Sequence, residues 1–196
     1  MPERYAASAA SNVSICVYCG SKSGADEKYV HAAEALGRAI ARHGMRLVYG
    51  GGNVGLMGSL ADAVLAGGGE VTGVIPAALR DRELAHTDVG ELIVVEDMHE
   101  RKATMAARAD AFVALPGGYG TLEELFEAVA WAQLGFHQKP VSLLNSHGYF
   151  DHLIAFLDHA TDEELLRPQH RALLQIESDP DELIAALVQR LSALKA

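Results

Sequence analysis

The apolar run Ala111-Phe112-Val113-Ala114-Leu115 leads without a break into Pro116-Gly117-Gly118-Tyr119-Gly120-Thr121-Leu122-Glu123-Glu124, and that junction restricts the chain to few folds. Residues of this kind suit a strand buried on both faces, and Leu122, Leu125, Phe126 and Val129 follow at helical spacing. Three glycines in four positions let the backbone turn sharply and approach a ligand closely, while the next helix presents its unpaired first-turn N–H groups. Strand, glycine turn and helix in that order make a cradle for an anion. Thr121 and Glu124 also fit a capping box, so a purely structural turn is the competing explanation.

A second stretch of the same kind shifts the balance toward a ligand. Arg46-Leu47-Val48-Tyr49 reads as a strand and runs into Gly50-Gly51-Gly52-Asn53-Val54-Gly55-Leu56-Met57-Gly58, with a helix expected over Leu60 to Leu65. Gly50, Gly52 and Gly55 formally satisfy the dinucleotide pattern GxGxxG. The acidic residue near the required distance, Glu70, opens the next strand, whereas a ribose-binding carboxylate belongs at a strand's carboxyl end. No Lys-Ser or Lys-Thr pair closes the stretch, which excludes a Walker loop. What remains is a second turn, with Gly51 and Gly52, able to approach a ligand; Asn53 either satisfies backbone groups in the turn or touches the ligand.

The rest of the chain repeats the alternation. Val13 to Tyr18 reads as a first strand, followed by the loop Gly20-Ser21-Lys22-Ser23-Gly24, and Tyr29 to His43 as a helix stopped by Gly44. Strands are expected at Glu70 to Ile75, Leu92 to Val95, Pro140 to Leu144 and Leu173 to Glu177. Helices are expected from Asp97 towards Ala109, from the central stretch to Leu134, over Tyr149 to His159 and over Asp181 to Leu194, with an irregular connection from Pro76 to Asp88. The economical architecture is α/β and Rossmann-like: a parallel sheet of about six or seven strands with helices on both faces. One domain is expected over residues 12–196, behind a mobile segment at Met1 to Ser11.

A formal charge of -10 without a lysine-arginine run argues against nucleic acid or an anionic membrane surface as partner. Met1 to Ser11 lacks the apolar core of a signal peptide and no later segment approaches a span, so a cytoplasmic protein is expected. Cys16 and Cys19 have CxxC spacing but fall at a strand, where residues three apart point to opposite faces, so a structural role is expected. No metal is expected, because the nine histidines are scattered and His147 and His152 are too far apart for a helical zinc pair.

Asp97-Met98-His99-Glu100-Arg101-Lys102 places two cations in a helix's first turn, where the dipole disfavours them, which points to an anionic partner. The glycine stretch from Gly50 to Gly58, the run Met98-His99-Glu100-Arg101-Lys102 and the turn from Pro116 to Glu124 together closely resemble the Lonely Guy family. These are cytokinin riboside 5'-monophosphate phosphoribohydrolases, and the resemblance covers Val13 to about Phe156. It implies a homodimer, with sites near the interface, that hydrolyses the N-glycosidic bond of a nucleoside 5'-monophosphate. The products would be free base, cytokinin or adenine, and ribose 5-phosphate. It further implies Arg101 and Glu124 as the catalytic pair and the turn Gly117-Gly118-Tyr119-Gly120-Thr121 as phosphate holder, with Met98 in the nucleotide-binding motif. Family members are often labelled lysine decarboxylases, but no Schiff-base lysine in a pyridoxal setting is identifiable, and no cofactor is expected.

Breaking a glycosidic C–N bond builds positive charge on the ribose, which calls for a carboxylate near the anomeric carbon. Glu124 lies one helical turn beyond the phosphate turn and meets that need. Lys102 and Ser21 are candidates for phosphate, and His99, Glu83 and Asp97 for the proton donor or a ribose contact. The rival is a nucleotide sensor or a carrier of a phosphate-bearing cofactor, built on the same turns.

Overall fold

The computed structural model describes residues 13–80 and 85–194, so the segment Met1 to Ser11 and the candidate Glu83 lie outside the described residues. The strands are β1 (Ser14–Tyr18), β2 (Arg46–Tyr49), β3 (Val71–Pro76), β4 (Glu91–Val95), β5 (Ala111–Ala114), β6 (Val141–Leu144) and β7 (Leu174–Glu177). The helices are α1 (Lys28–Arg42), α2 (Gly55–Ala66), α3 (Ala77–Arg80), α4 (Met98–Arg108), α5 (Tyr119–Gln133), α6 (Asp151–Asp162), α7 (Pro168–Arg171) and α8 (Pro180–Leu194). All seven strands join one sheet in the order β4-β3-β2-β1-β5-β6-β7, every neighbouring pair parallel. The chain starts in the middle, winds outward through β4, then returns to the other side of β1 to lay down β5. That reversal opens a crevice at the carboxyl ends of β1 and β5, the usual ligand site of such sheets.

Alternation along β1 divides the core. Ile15 and Val17 pack with Leu36 and Ile40 of α1, Leu60 and Val64 of α2, and Leu183 and Leu187 of α8. Cys16 and Tyr18 face the other way, onto Met105 of α4 and Leu125 and Ala128 of α5. Burying side chains such as Leu36 and Ile40 completely contributes roughly 1.5–3 kcal/mol each. Cys16 therefore lies in one core while Cys19 packs against the other, and both thiols are free. Among the described residues, no helix is long and apolar enough to cross a membrane.

Helix α2 and the connection after β3 depart from the sequence expectation, and the short helix α7 lies where no element was expected. Helix α2 begins at Gly55 rather than Leu60, with Val54 extended at φ -122° and ψ 155° as its cap. Glycine is a poor helix former, which hid this first turn, but added Cβ atoms at Gly55 and Gly58 would strike the backbones of Ser21 and Asn53. The connection after β3, expected to be irregular, opens with the short helix α3.

Candidate active site

A cavity of roughly 720 Å³ opens at the carboxyl ends of β1, β2 and β5. The loops that leave these strands are tied to one another through their backbones. The Gly20 N–H donates to the Pro116 carbonyl at 3.0 Å, and the Leu56 N–H donates to the Gly20 carbonyl at 3.1 Å. The first loop thus holds both glycine turns in register, and Ser21 lies on the cavity wall between them.

At the central turn, α5 starts at Tyr119 with Gly118 as its cap, without a side-chain cap or an acidic residue in the first turn. The capping box does not form here: Thr121 is the third helical residue, buried, and packed so closely over Gly117 that a Cβ there would collide with its hydroxyl. Gly117, Gly118, Tyr119, Gly120 and Thr121 all line the cavity. First-turn N–H groups left uncapped beside a cavity form an anion site with the positive end of the helix dipole behind it. Helix α4 shows the contrast. Its cap Asp97 accepts the Glu100 N–H at 2.8 Å, and the Glu100 carboxylate accepts the Glu96 N–H at 2.8 Å. The hydrogen bond from the Glu100 backbone holds the Asp97 carboxyl below its ordinary value.

Arg101 and Glu124 line the same cavity. Arg101 is buried; its Nε donates to the Val74 carbonyl at 3.1 Å and its Nη2 to the Gly50 carbonyl at 2.6 Å, while Nη1 lies 3.7 Å from the Met98 sulfur. These bonds fix the plane of the guanidinium, and they require glycine at position 50, where a Cβ would overlap the Arg101 Nη2. Glu124 stands half-buried in the second turn of α5 and, among the described residues, is the only carboxylate on the cavity wall. Burial first, and the Glu124 charge second, push the Cys16 and Cys19 thiols well above their ordinary range, while Arg101 pulls Cys19 back down.

The other candidates fall elsewhere. Met98 lines the cavity, but Gly51, Gly52 and Asn53 back the second turn from outside it, and Gly50 takes the lining position. The Gly51 carbonyl accepts the His86 N–H at 2.9 Å, Gly52 pairs with Ala85, and Asn53 is exposed. The Lys102 ammonium donates to Glu123 at 2.5 Å and Glu127 at 2.8 Å, both on α5, so its anionic partners belong to the protein itself. Burial opposes its charge, but those two hydrogen bonds outweigh it and hold its pKa above the ordinary value. Asp97 serves as a helix cap, and His99 is exposed; neither lines the cavity.

Sequence reasoning missed most of the apolar wall, including Tyr29, Leu56, Met57, Leu79, Met105 and Tyr149. The Tyr149 hydroxyl donates to the Gly117 carbonyl at 2.7 Å, and its ring meets Tyr29 edge-on at 5.4 Å. Neither tyrosine stands in a motif.

The model of a family described as "Possible lysine decarboxylase" matches residues 57–187. A protein of Oryza sativa subsp. japonica named as a probable cytokinin riboside 5'-monophosphate phosphoribohydrolase is 52% identical over 173 residues, which is 88% of this chain and 69% of that protein. A cytokinin riboside 5'-monophosphate phosphoribohydrolase of Arabidopsis thaliana is 50% identical over 181 residues, 92% of this chain and 78% of its own. Among solved structures, the molybdenum cofactor carrier protein of Chlamydomonas reinhardtii superposes with a TM-score of 0.68 at 27% identity, over 93% of this chain and 99% of that one. With identity at this level across most of both chains, the protein belongs to the Lonely Guy family, whose curated members carry the name cytokinin riboside 5'-monophosphate phosphoribohydrolase.

Proposed function

We propose that the protein hydrolyses the N-glycosidic bond of an adenosine 5'-monophosphate modified at N6, releasing the free base, a cytokinin, and ribose 5-phosphate. The observation that carries this reading is the order of groups along α5: an uncapped first turn on the cavity, then, one turn later, the only carboxylate among the described lining residues. A volume of roughly 720 Å³ falls within the range of about 300–1,000 Å³ common for small-ligand sites. With the 5'-phosphate on the N–H groups of Gly118 to Thr121, the sugar extends toward Glu124. As the bond from the anomeric carbon to the base nitrogen breaks, the carboxylate stabilises the cationic ribose and accepts a proton from the attacking water. The water oxygen becomes the anomeric hydroxyl. Asp97 and His99 stand off the cavity, so neither is placed to protonate the departing base; the proton that Glu124 takes from the attacking water is available for it. Arg101, held by two backbone carbonyls, orients the carboxylate and the ligand's oxygens.

The likeness to a molybdenum cofactor carrier favours a second reading, in which the same turn holds a phosphate-bearing molecule without cleaving it. Identity of 52% to a phosphoribohydrolase, against 27% to the carrier, supports the hydrolase. We further propose a cytoplasmic homodimer with α4 and α5 near the contact, supported by the exposed apolar side chains of Met98, Tyr119, Phe126, Leu134 and Phe136.

Base release from AMP and from isopentenyladenosine 5'-monophosphate, with the unphosphorylated nucleosides as controls, tests the reading. The prenylated monophosphate is expected to react fastest, and Glu124→Gln to slow it by about 10²–10⁴-fold, the usual contribution of a general base. Preference for AMP would make the enzyme an AMP nucleosidase of nucleotide salvage. Tight nucleotide binding with no base released would establish the carrier.

A further inference from the structure

We propose that Tyr149 is a positioning residue for phosphate: its hydroxyl locks the peptide between Gly117 and Gly118 so that the turn shows the ligand N–H groups alone. The proposal rests on the phosphate-binding reading of that turn. Three successive carbonyls pass through it, and each is engaged on the protein side. Pro116 accepts the Gly20 N–H at 3.0 Å, Gly118 accepts the Leu122 N–H at 3.1 Å, and Gly117 accepts the Tyr149 hydroxyl at 2.7 Å. The first two donors are backbone groups fixed by the fold. Gly117 alone of the three depends on a side chain.

That carbonyl is also the one most in need of a restraint. The peptide it belongs to joins two glycines, so no Cβ on either side opposes rotation of its plane. Rotation by half a turn would exchange the Gly118 N–H for the Gly117 oxygen and put a partial negative charge where an anion is to bind. A trans peptide points its two polar groups in opposite directions, so a donor holding the oxygen also aims the N–H.

The segment carrying Tyr149 is built to keep it in place. Asn145 accepts the Phe150 N–H at 2.8 Å through its side-chain oxygen and donates through its amide to Asp151 at 2.7 Å. Between them, His147 and Gly148 are both left-handed, with φ of 56° and 69°. A non-glycine residue stays in that region only where its surroundings impose it. The partly exposed Tyr149 ring meets Tyr29 at 5.4 Å and Phe150 at 4.8 Å in edge contacts, and from there its hydroxyl reaches the Gly117 carbonyl.

Tyr149→Phe keeps the ring and removes the donor. Calorimetric titration with ribose 5-phosphate is expected to show affinity reduced about fivefold, the worth of one neutral hydrogen bond. KM for the nucleoside monophosphate should rise by the same factor while kcat stays within about twofold, because the bond is made equally in ground and transition states. Affinity for the unphosphorylated nucleoside should not change, a separation that general loosening of the site would not give. Unchanged affinity for ribose 5-phosphate in the variant, or an equal loss for nucleoside and nucleotide, would overturn the proposal. Wild-type protein that fails to bind ribose 5-phosphate would overturn the phosphate reading of the turn, and the lock with it.

Discussion

A Cβ added at Gly120 would meet no heavy atom within 4 Å, and the residue sits at the second position of α5, where alanine is the better helix former. The fold therefore does not require glycine there, yet the residue lines the cavity beside the turn assigned to phosphate. Gly120→Ala is expected to preserve stability or raise it by about 0.5–1 kcal/mol, while the methyl group raises KM for the nucleoside monophosphate by about tenfold or more. A melting curve and a Michaelis analysis of one variant check both halves; a variant with unaltered KM would remove Gly120 from the ligand's neighbourhood. Gly50 has the opposite logic. Its missing side chain makes room for Arg101, so the residue bears on the proposed chemistry by way of the arginine it admits.

Between elements, Lys102 illustrates how a local misfit can be resolved inside the fold. A cation near the start of α4 is unfavourable by itself, but α5 packs alongside and supplies Glu123 and Glu127 as partners. Lys102→Gln is accordingly expected to lower the melting temperature by about 2–4 °C, the equivalent of an ion-pair contribution near 1 kcal/mol, and to leave KM within about twofold. A large rise in KM with unchanged melting would instead return the ammonium to the phosphate. The sequence could not decide this point, because the pairing depends on which helices become neighbours. Strand positions, by contrast, were legible, since two-sided burial makes β1 and β5 largely apolar runs that lead into glycine-bearing loops. Arg101, Glu124 and the central turn were legible for a related reason: the turn and Glu124 lie in one local stretch, and Arg101 stands in a recognisable motif. Tyr149 was not, for it reaches Gly117 only because β6 pairs with β5 and delivers the following loop to the same rim. Tyr29, arriving from the start of α1, was hidden in the same way, and the start of α2 was hidden by its glycines.

At the scale of the whole molecule, several exposed apolar side chains gather along α5 and just beyond it, while others, such as Phe156 and Leu165, stand elsewhere. Tyr119 at 95% exposure begins α5, while Leu134 at 65% and Phe136 at 74% lie just past its end, with Phe126 between them along the helix. Exposed apolar side chains grouped along one element suit an interface, and a second copy seated on α5 would cover them. Each copy carries a formal charge of -10, so apolar burial has to overcome mutual repulsion, and the association should tighten as salt screens that charge. Because Tyr119 also lines the cavity, a partner seated on α5 would reach its mouth and exclude water from the site. Light scattering of the wild-type protein is therefore expected to give twice the chain mass. Leu134→Glu with Phe136→Glu should give the single-chain mass, with a melting temperature changed by only a few degrees, since both side chains are solvent-exposed in one chain. Base release by that variant should fall along with the mass. A wild-type protein that scatters as a monomer would sink the dimer, whereas a monomeric variant with full turnover would show that one chain completes its own site and that the partner serves stability alone.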